Sequence, residues 1–316
     1  MTTPVWGWLA AGGTIGVLLV ADVLTSRGRG APTLRRSLVT SGAWITVSIA
    51  FGAALALTEG GSVAGQYFAG YLVEKFLSID NIFVFALLFK AFAVPPAYQH
   101  RVLYFGVVGA LLLRAGFIAA GAALLARFSF VLYLFGALLV VGGLRMLRAD
   151  HDVDLEHNFV VRAVRRLVPV TPDYVGDHFV TRVGERRSAT PLLVTLLVVE
   201  ATDIVFATDS IPAIFGITRD VFVVVTSNAF AVLGLRALYF VLAGVMGRFR
   251  HLKYGLAALL VFIGAKLVLS DVVHVSTLVS FVMVAVLVGG SVLASIWEAR
   301  RRPSDNDAGT GQPARR

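Results

Sequence analysis

The chain has 316 residues, 57% of them hydrophobic and only 15% charged, and its mean hydropathy is +0.81. This excludes a soluble globular protein and predicts a polytopic, all-α membrane protein. The absence of cysteine excludes disulfides and thiolate metal sites, and the net charge of +9 lies mostly between apolar runs, where it orients a membrane protein rather than binding nucleic acid.

Taken in order, the apolar runs predict nine spans near 5–24, 38–57, 67–90, 101–125, 129–147, 190–214, 221–245, 254–271 and 276–297. The first run has no basic residue before it and is followed by Arg27, Arg29, Arg35 and Arg36. That charge order is wrong for a cleaved signal peptide and fits a retained span with its N-terminus outside. Basic residues recur around Lys90 and Arg101, through 148–189, at Arg248, Arg250 and Lys253, and in the tail at Arg300, Arg301 and Arg302. The intervening loops carry few, so the positive-inside rule puts the C-terminus and every charge-rich loop in the cytoplasm. One transmembrane domain, 1–300, is expected, with a disordered cytoplasmic tail at 301–316. The 148–189 loop holds the acid/His run His151 to His157 and then Arg162, Arg165 and Arg166. A solvated linker with a short basic amphipathic helix is the preferred reading there, over a weak divalent-metal sensor.

Two spans carry carboxylates in one pattern: Glu74 through Asp80-Asn81-Ile82, and Asp203 through Asp209-Ser210-Ile211. Further landmarks recur in the same order. Leu113-Arg114-Ala115 resembles Leu235-Arg236-Ala237, and Ala137-Leu138-Leu139-Val140 matches Ala258-Leu259-Leu260-Val261. Residues 67–147 and 190–271 therefore read as a three-span repeat. A repeat with an odd number of spans inserts in opposite orientations, which is the pattern of an inverted-repeat transporter.

An ionisable side chain at the bilayer centre costs roughly 2.5–3.5 kcal/mol on insertion scales, so these acids have a use. Glu74 and Asn81 share one helical face, as do Asp203 and Ser210, while Asp80 and Asp209 fall on another. The groups converge only if two helices face each other or if each is broken, and Pro212 suggests a kink in the second motif. The candidate metal ligands are Glu74, Asp80, Asn81, Glu200, Asp203, Asp209 and Ser210. All are oxygen donors, suited to Mn²⁺, Ca²⁺ or Mg²⁺. Arg114 and Arg236 read as counter-ions or helix locks, Lys75 as a snorkelling residue at the motif's outer edge, and Asn228 as an interhelical hydrogen-bond former. The competing reading is a buried ion-pair network with no cargo. No prosthetic group and no catalytic motif are apparent, so an enzyme is not expected.

Both acidic motifs, with Ser227-Asn228-Ala229-Phe230-Ala231 and Leu235-Arg236-Ala237-Leu238-Tyr239, resemble the TerC family and its Alx-type branch over about 38–297. The resemblance implies bacterial inner-membrane proteins named for tellurium resistance and associated with manganese efflux. Some members are thought to supply metal near the secretion machinery. The resulting expectation is a divalent-cation exporter, most directly for Mn²⁺, working by alternating access. The rival is a membrane scaffold acting with the secretion machinery or a resistance complex, its acids purely structural.

Overall fold

The structure, a computed structural model, describes residues 5–26, 33–148, 162, 166, 169–183, 186–242, 252–272 and 275–301. The acid/His run at 151–157 and the tail beyond 301 lie outside these. Ten helices are present among the described residues. They are α1 (Val5–Ser26), α2 (Leu34–Thr58), α3 (Gly61–Ala91), α4 (Pro96–Arg127), α5 (Val131–Arg148), α6 (Pro191–Phe215), α7 (Val221–Leu233), α8 (Leu235–Leu242), α9 (Leu252–Val268) and α10 (Thr277–Arg301). Each apolar run of the sequence falls on a helix, because a helix satisfies its own backbone polar groups where no water can.

Local chemistry sets the helix starts. Thr33 caps α2 by accepting from the Arg36 amide at 3.4 Å. Asp220 caps α7 by accepting from Phe222 N at 3.0 Å and Val223 N at 3.4 Å. Pro96 and Pro191 open α4 and α6, where an amide proton is not needed.

By length and composition, four helices can cross a membrane: α2, α4, α6 and the Leu278–Ser295 portion of α10. α7 and α8, bent by 42° at Gly234, make a fifth if the pair is one span. α1 and α5 supply shorter apolar segments. The protein is thus a helical membrane protein with four or five spans that meet this test.

α3 is the hub, with α2, α6, α7, α8, α9 and α10 around it. Its buried face carries Tyr67, Val73, Phe76, Leu77, Ile82, Phe85 and Phe89. α5 and α9 pack backbone to backbone. A Cβ on Gly264 would lie 2.6 Å from the Gly136 carbonyl, and one on Gly143 would lie 2.8 Å from the Ala257 carbonyl. Small residues at that seam give the close approach that membrane helices use in place of hydrophobic burial.

Three features differ from the sequence reading. α6 runs continuously through Pro212 to Phe215. Proline there forfeits one hydrogen bond close to the helix end, and the Gly216 amide closes the final turn on the Pro212 carbonyl at 2.9 Å. The bend that does exceed 40° is instead at Gly234. Second, a β-hairpin interrupts the all-α class: β1 (Val180–Val183) pairs antiparallel with β2 (Arg186–Ala189), Val180 opposite Ala189. The β-branched Val180, Thr181 and Val183 favour an extended backbone in β1. Third, the segment that leads into the hairpin is docked rather than free. Tyr174 donates to the Phe92 carbonyl at 2.8 Å, and Arg101 pairs with Asp177 while its guanidinium lies 5.3 Å from the Phe179 ring centroid. Arg101 holds the Asp177 carboxyl below its ordinary pKa.

Candidate ion site in the helix bundle

α3, α4, α6 and α7 meet around a single guanidinium. Arg114, on α4, is 1% exposed. Its Nε donates to Asp203 Oδ2 at 3.1 Å and its Nη2 to Asp203 Oδ1 at 2.9 Å, a two-pronged grip on the α6 carboxylate. Its Nη1 pairs with Glu74 Oε1 of α3 and donates to Ser210 Oγ at 3.3 Å. Each acid has further donors. Ser78 Oγ donates to Glu74 Oε1 at 3.3 Å, Asn228 Nδ2 of α7 to Glu74 Oε2 at 3.0 Å, and Asn81 Nδ2 to Asp203 Oδ1 at 3.4 Å.

The geometry answers how two unbroken helices, α3 and α6, can share one site. They face each other, and the long α4 side chain spans the gap. The two motif acids that align in sequence, Glu74 and Asp203, end on the same cation. With every group ionised the cluster holds two carboxylates and one guanidinium, a formal charge of −1.

The other sequence candidates are placed differently. Asp209 is half-buried on α6 and faces a cavity of about 200 Å³, lined also by Asn81, Ser210, Arg145 and Leu77. Gly142 of α5 makes room for it; a Cβ there would lie 3.2 Å from Asp209 Oδ1. Glu200 sits one turn before Asp203, its carboxyl pressed into a notch at Gly109, where a Cβ would fall 2.1 Å from Oε1. Its Oε2 is buried without a hydrogen-bond partner among the described residues. Asp80 is helical in α3, but its side chain lies outside the described residues. Arg236 is half-buried on α8, beyond the Gly234 bend, and makes contacts of its own within the chain. Among the described residues no three His, Asp or Glu side chains are gathered as a metal cage.

Lys75 does not snorkel outward. Its ammonium donates to the Ala231 carbonyl of α7 at 3.0 Å and lies 5.9 Å from the Tyr71 ring centroid. A Cβ on Gly234 would come within 2.9 Å of its Nζ. The ammonium therefore serves a carbonyl beside the α7–α8 bend, where helical bonding is interrupted. Sequence reasoning passed over Gly109, Gly142 and Ser78. Glycines opposite acids leave no local signal, because the matching acid is on another helix.

A family model described as the integral membrane protein TerC family matches residues 59–303. An "Uncharacterized membrane protein STKORF319" from Myxococcus xanthus is 46% identical over 276 residues, 87% of this chain and 86% of that protein. A protein of Escherichia coli K12 named "Putative membrane-bound redox modulator Alx" is 42% identical over 307 residues, 94% of this chain and 95% of its own length. An "Uncharacterized membrane protein" of Rickettsia felis is 36% identical over 291 residues, covering 92% and 97%. No solved structure matches. With most of its length matched by the family model and near-full-length relatives well above 30% identity, the chain belongs to the TerC family of integral membrane proteins.

Proposed function

We propose that the chain exports a hard divalent cation, most directly Mn²⁺, across the bacterial inner membrane by alternating access. The observation that carries this is the 200 Å³ cavity onto which Asn81, Asp209 and Ser210 open, beside a cluster of formal charge −1. Carboxylate, amide and hydroxyl oxygens in a low-dielectric bundle favour a dehydrated hard cation over softer metals. Asp80, next to Asn81 in α3, joins this set on the proposed reading, and Glu200 lies one turn before Asp203 in α6. Ca²⁺ and Mg²⁺ are the chemically closest competitors.

Nine crossings, an outside N-terminus and a cytoplasmic C-terminus are part of the proposal and rest on the charge pattern of the loops. The inverted repeat is supported by the convergence of Glu74 and Asp203 on Arg114 and by the packing of α5 against α9, the third helices of the two units. The redox role in the name of the Alx relatives finds no thiol chemistry here, since this chain has no cysteine. A metal-supply route to redox enzymes is the form that role takes on this reading.

A second reading has its own observation. Glu74 and Asp203 are saturated by Arg114, Ser78, Asn81 and Asn228, as a scaffold's acids would be. Such a scaffold would work through its cytoplasmic loop, with the secretion machinery as partner. Transport by the purified full-length chain in liposomes separates the two. Accumulation of Mn²⁺ above protein-free vesicles, competed by excess cold Mn²⁺, is the expected result. Flux equal to protein-free vesicles for Mn²⁺, Ca²⁺ and Mg²⁺ alike would leave the scaffold reading standing.

A further inference from the structure

The transport reading makes no use of a groove between α1 and α2. It encloses about 700 Å³ and has apolar walls, Leu18 from α1 and Val39, Ala43 and Val47 from α2, with Trp44 also lining it. Arg35 and Arg36 line it as well, and they belong to the first turn of α2. α2 is one of the helices long and apolar enough to span a membrane, so its first turn lies at the interface and its apolar wall in the hydrocarbon. From Arg36 to Val47 the helix rises about 16 Å. Half of a hydrocarbon core about 30 Å thick is about 15 Å, so the groove is one leaflet deep.

A groove of that depth, mainly apolar along its length with Thr40 the one polar residue beyond its first turn, and cationic at its interfacial end, matches an acyl chain joined to an anionic head. A zwitterionic head would set its own cation among the arginines. A soluble peptide would have to leave its backbone unsatisfied at hydrocarbon depth. Arg36 also makes contacts within the chain, and a guanidinium with five N–H donors can serve a phosphate as well. We propose that this groove binds one anionic phospholipid, its chain along α2 and its phosphate at Arg35 and Arg36.

The groove reaches the α7–α8 bend. Trp44 also touches the α7–α8 bend: a Cβ on Gly234 would lie 3.2 Å from Trp44 Cβ and 2.9 Å from Lys75 Nζ. Lipid in the groove therefore bears on the same bend that Lys75 supports, one residue along α3 from Glu74.

The test reconstitutes the full-length chain with Trp6, Trp8 and Trp297 changed to phenylalanine, leaving Trp44 as the reporter. Its quenching by dibrominated phosphatidylglycerol is compared with quenching by dibrominated phosphatidylcholine. The parent should prefer phosphatidylglycerol severalfold, at about fivefold for each arginine engaged. R35Q/R36Q should remove the preference and leave phosphatidylcholine quenching unchanged, R35K/R36K should keep most of it, and A43F should lower quenching by both lipids. An equal response of the parent to both lipids would overturn the site. So would a preference that survives R35Q/R36Q, or one abolished by millimolar inorganic phosphate with no effect of A43F.

Discussion

Arg114→Gln tests whether one guanidinium holds the bundle together. The change removes the two contacts to Asp203 at 3.1 and 2.9 Å, the contact to Ser210 at 3.3 Å, and the ion pair with Glu74. Two carboxylates exposed by no more than 2% then face each other without a counter-ion. Removing one partner of a buried pair costs about 3–5 kcal/mol, and here one residue serves two pairs, so the upper end is expected. Neutralising a single acid is different. Glu74→Gln takes the cluster from −1 to 0 and leaves the two-pronged Arg114–Asp203 contact intact, so a loss of about 1 kcal/mol is expected, that of an ordinary hydrogen bond. The triple change E74Q/R114Q/D203N, which leaves no charge, should recover much of the R114Q loss. Thermal unfolding of purified protein in detergent measures all three. R114Q as stable as the parent, or E74Q as damaging as R114Q, would refute the reasoning.

Asp209→Asn keeps side-chain volume and removes the charge that faces the cavity. Mn²⁺ flux per folded molecule should fall by at least tenfold with little change in unfolding temperature, and parental flux would take this carboxylate out of the mechanism. Gly264→Ala places a methyl group 2.6 Å from the Gly136 carbonyl, a backbone neighbour that cannot swing aside. It should destabilise by about 1–3 kcal/mol through overpacking, read as a lowered unfolding temperature. The docked segment that leads into the hairpin should respond to acid. The Asp177 carboxyl sits below its ordinary pKa beside Arg101, so its contribution is fully present above the unfolded value of about 3.9. That contribution is lost as pH falls through the lower folded value. Amide exchange of β1 and β2 should therefore show no Asp177-dependent change from pH 7 to 5, and D177N should raise it throughout that range.

The helices were legible because lipid imposes one solution on an apolar backbone, and because runs of 20 residues are hard to mistake. What the sequence could not carry was anything decided between helices. Pro212 reads as a break, yet it lies too near the end of α6 to interrupt much. Gly234 reads as an ordinary small residue, yet the bend is there, fixed by Trp44 packing from α2 and Lys75 reaching from α3. Lys75 itself has the sequence of a snorkelling residue and the surroundings of a carbonyl cap. The 180–189 hairpin escaped because charge and proline content dominate that loop and mask four paired residues on each side.

The acids show the same limit more sharply. In sequence Glu74, Asp80, Asp203 and Asp209 are one motif written twice, and Glu200 looks like an extra member. In three dimensions the described ones divide by what faces them. Glu74 and Asp203 are bound to Arg114 and hold α3, α4, α6 and α7 in register. Asp209 borders open volume, and Glu200 has an oxygen with no hydrogen-bond partner among the described residues. A carboxylate already gripped by a guanidinium must give that bond up before it can take a cation. One beside a cavity need not. On the proposed transport reading the two classes therefore act in order, Asp209 meeting the ion first. The Arg114 grip on Asp203 is then what must loosen for the bundle to change the side to which it opens.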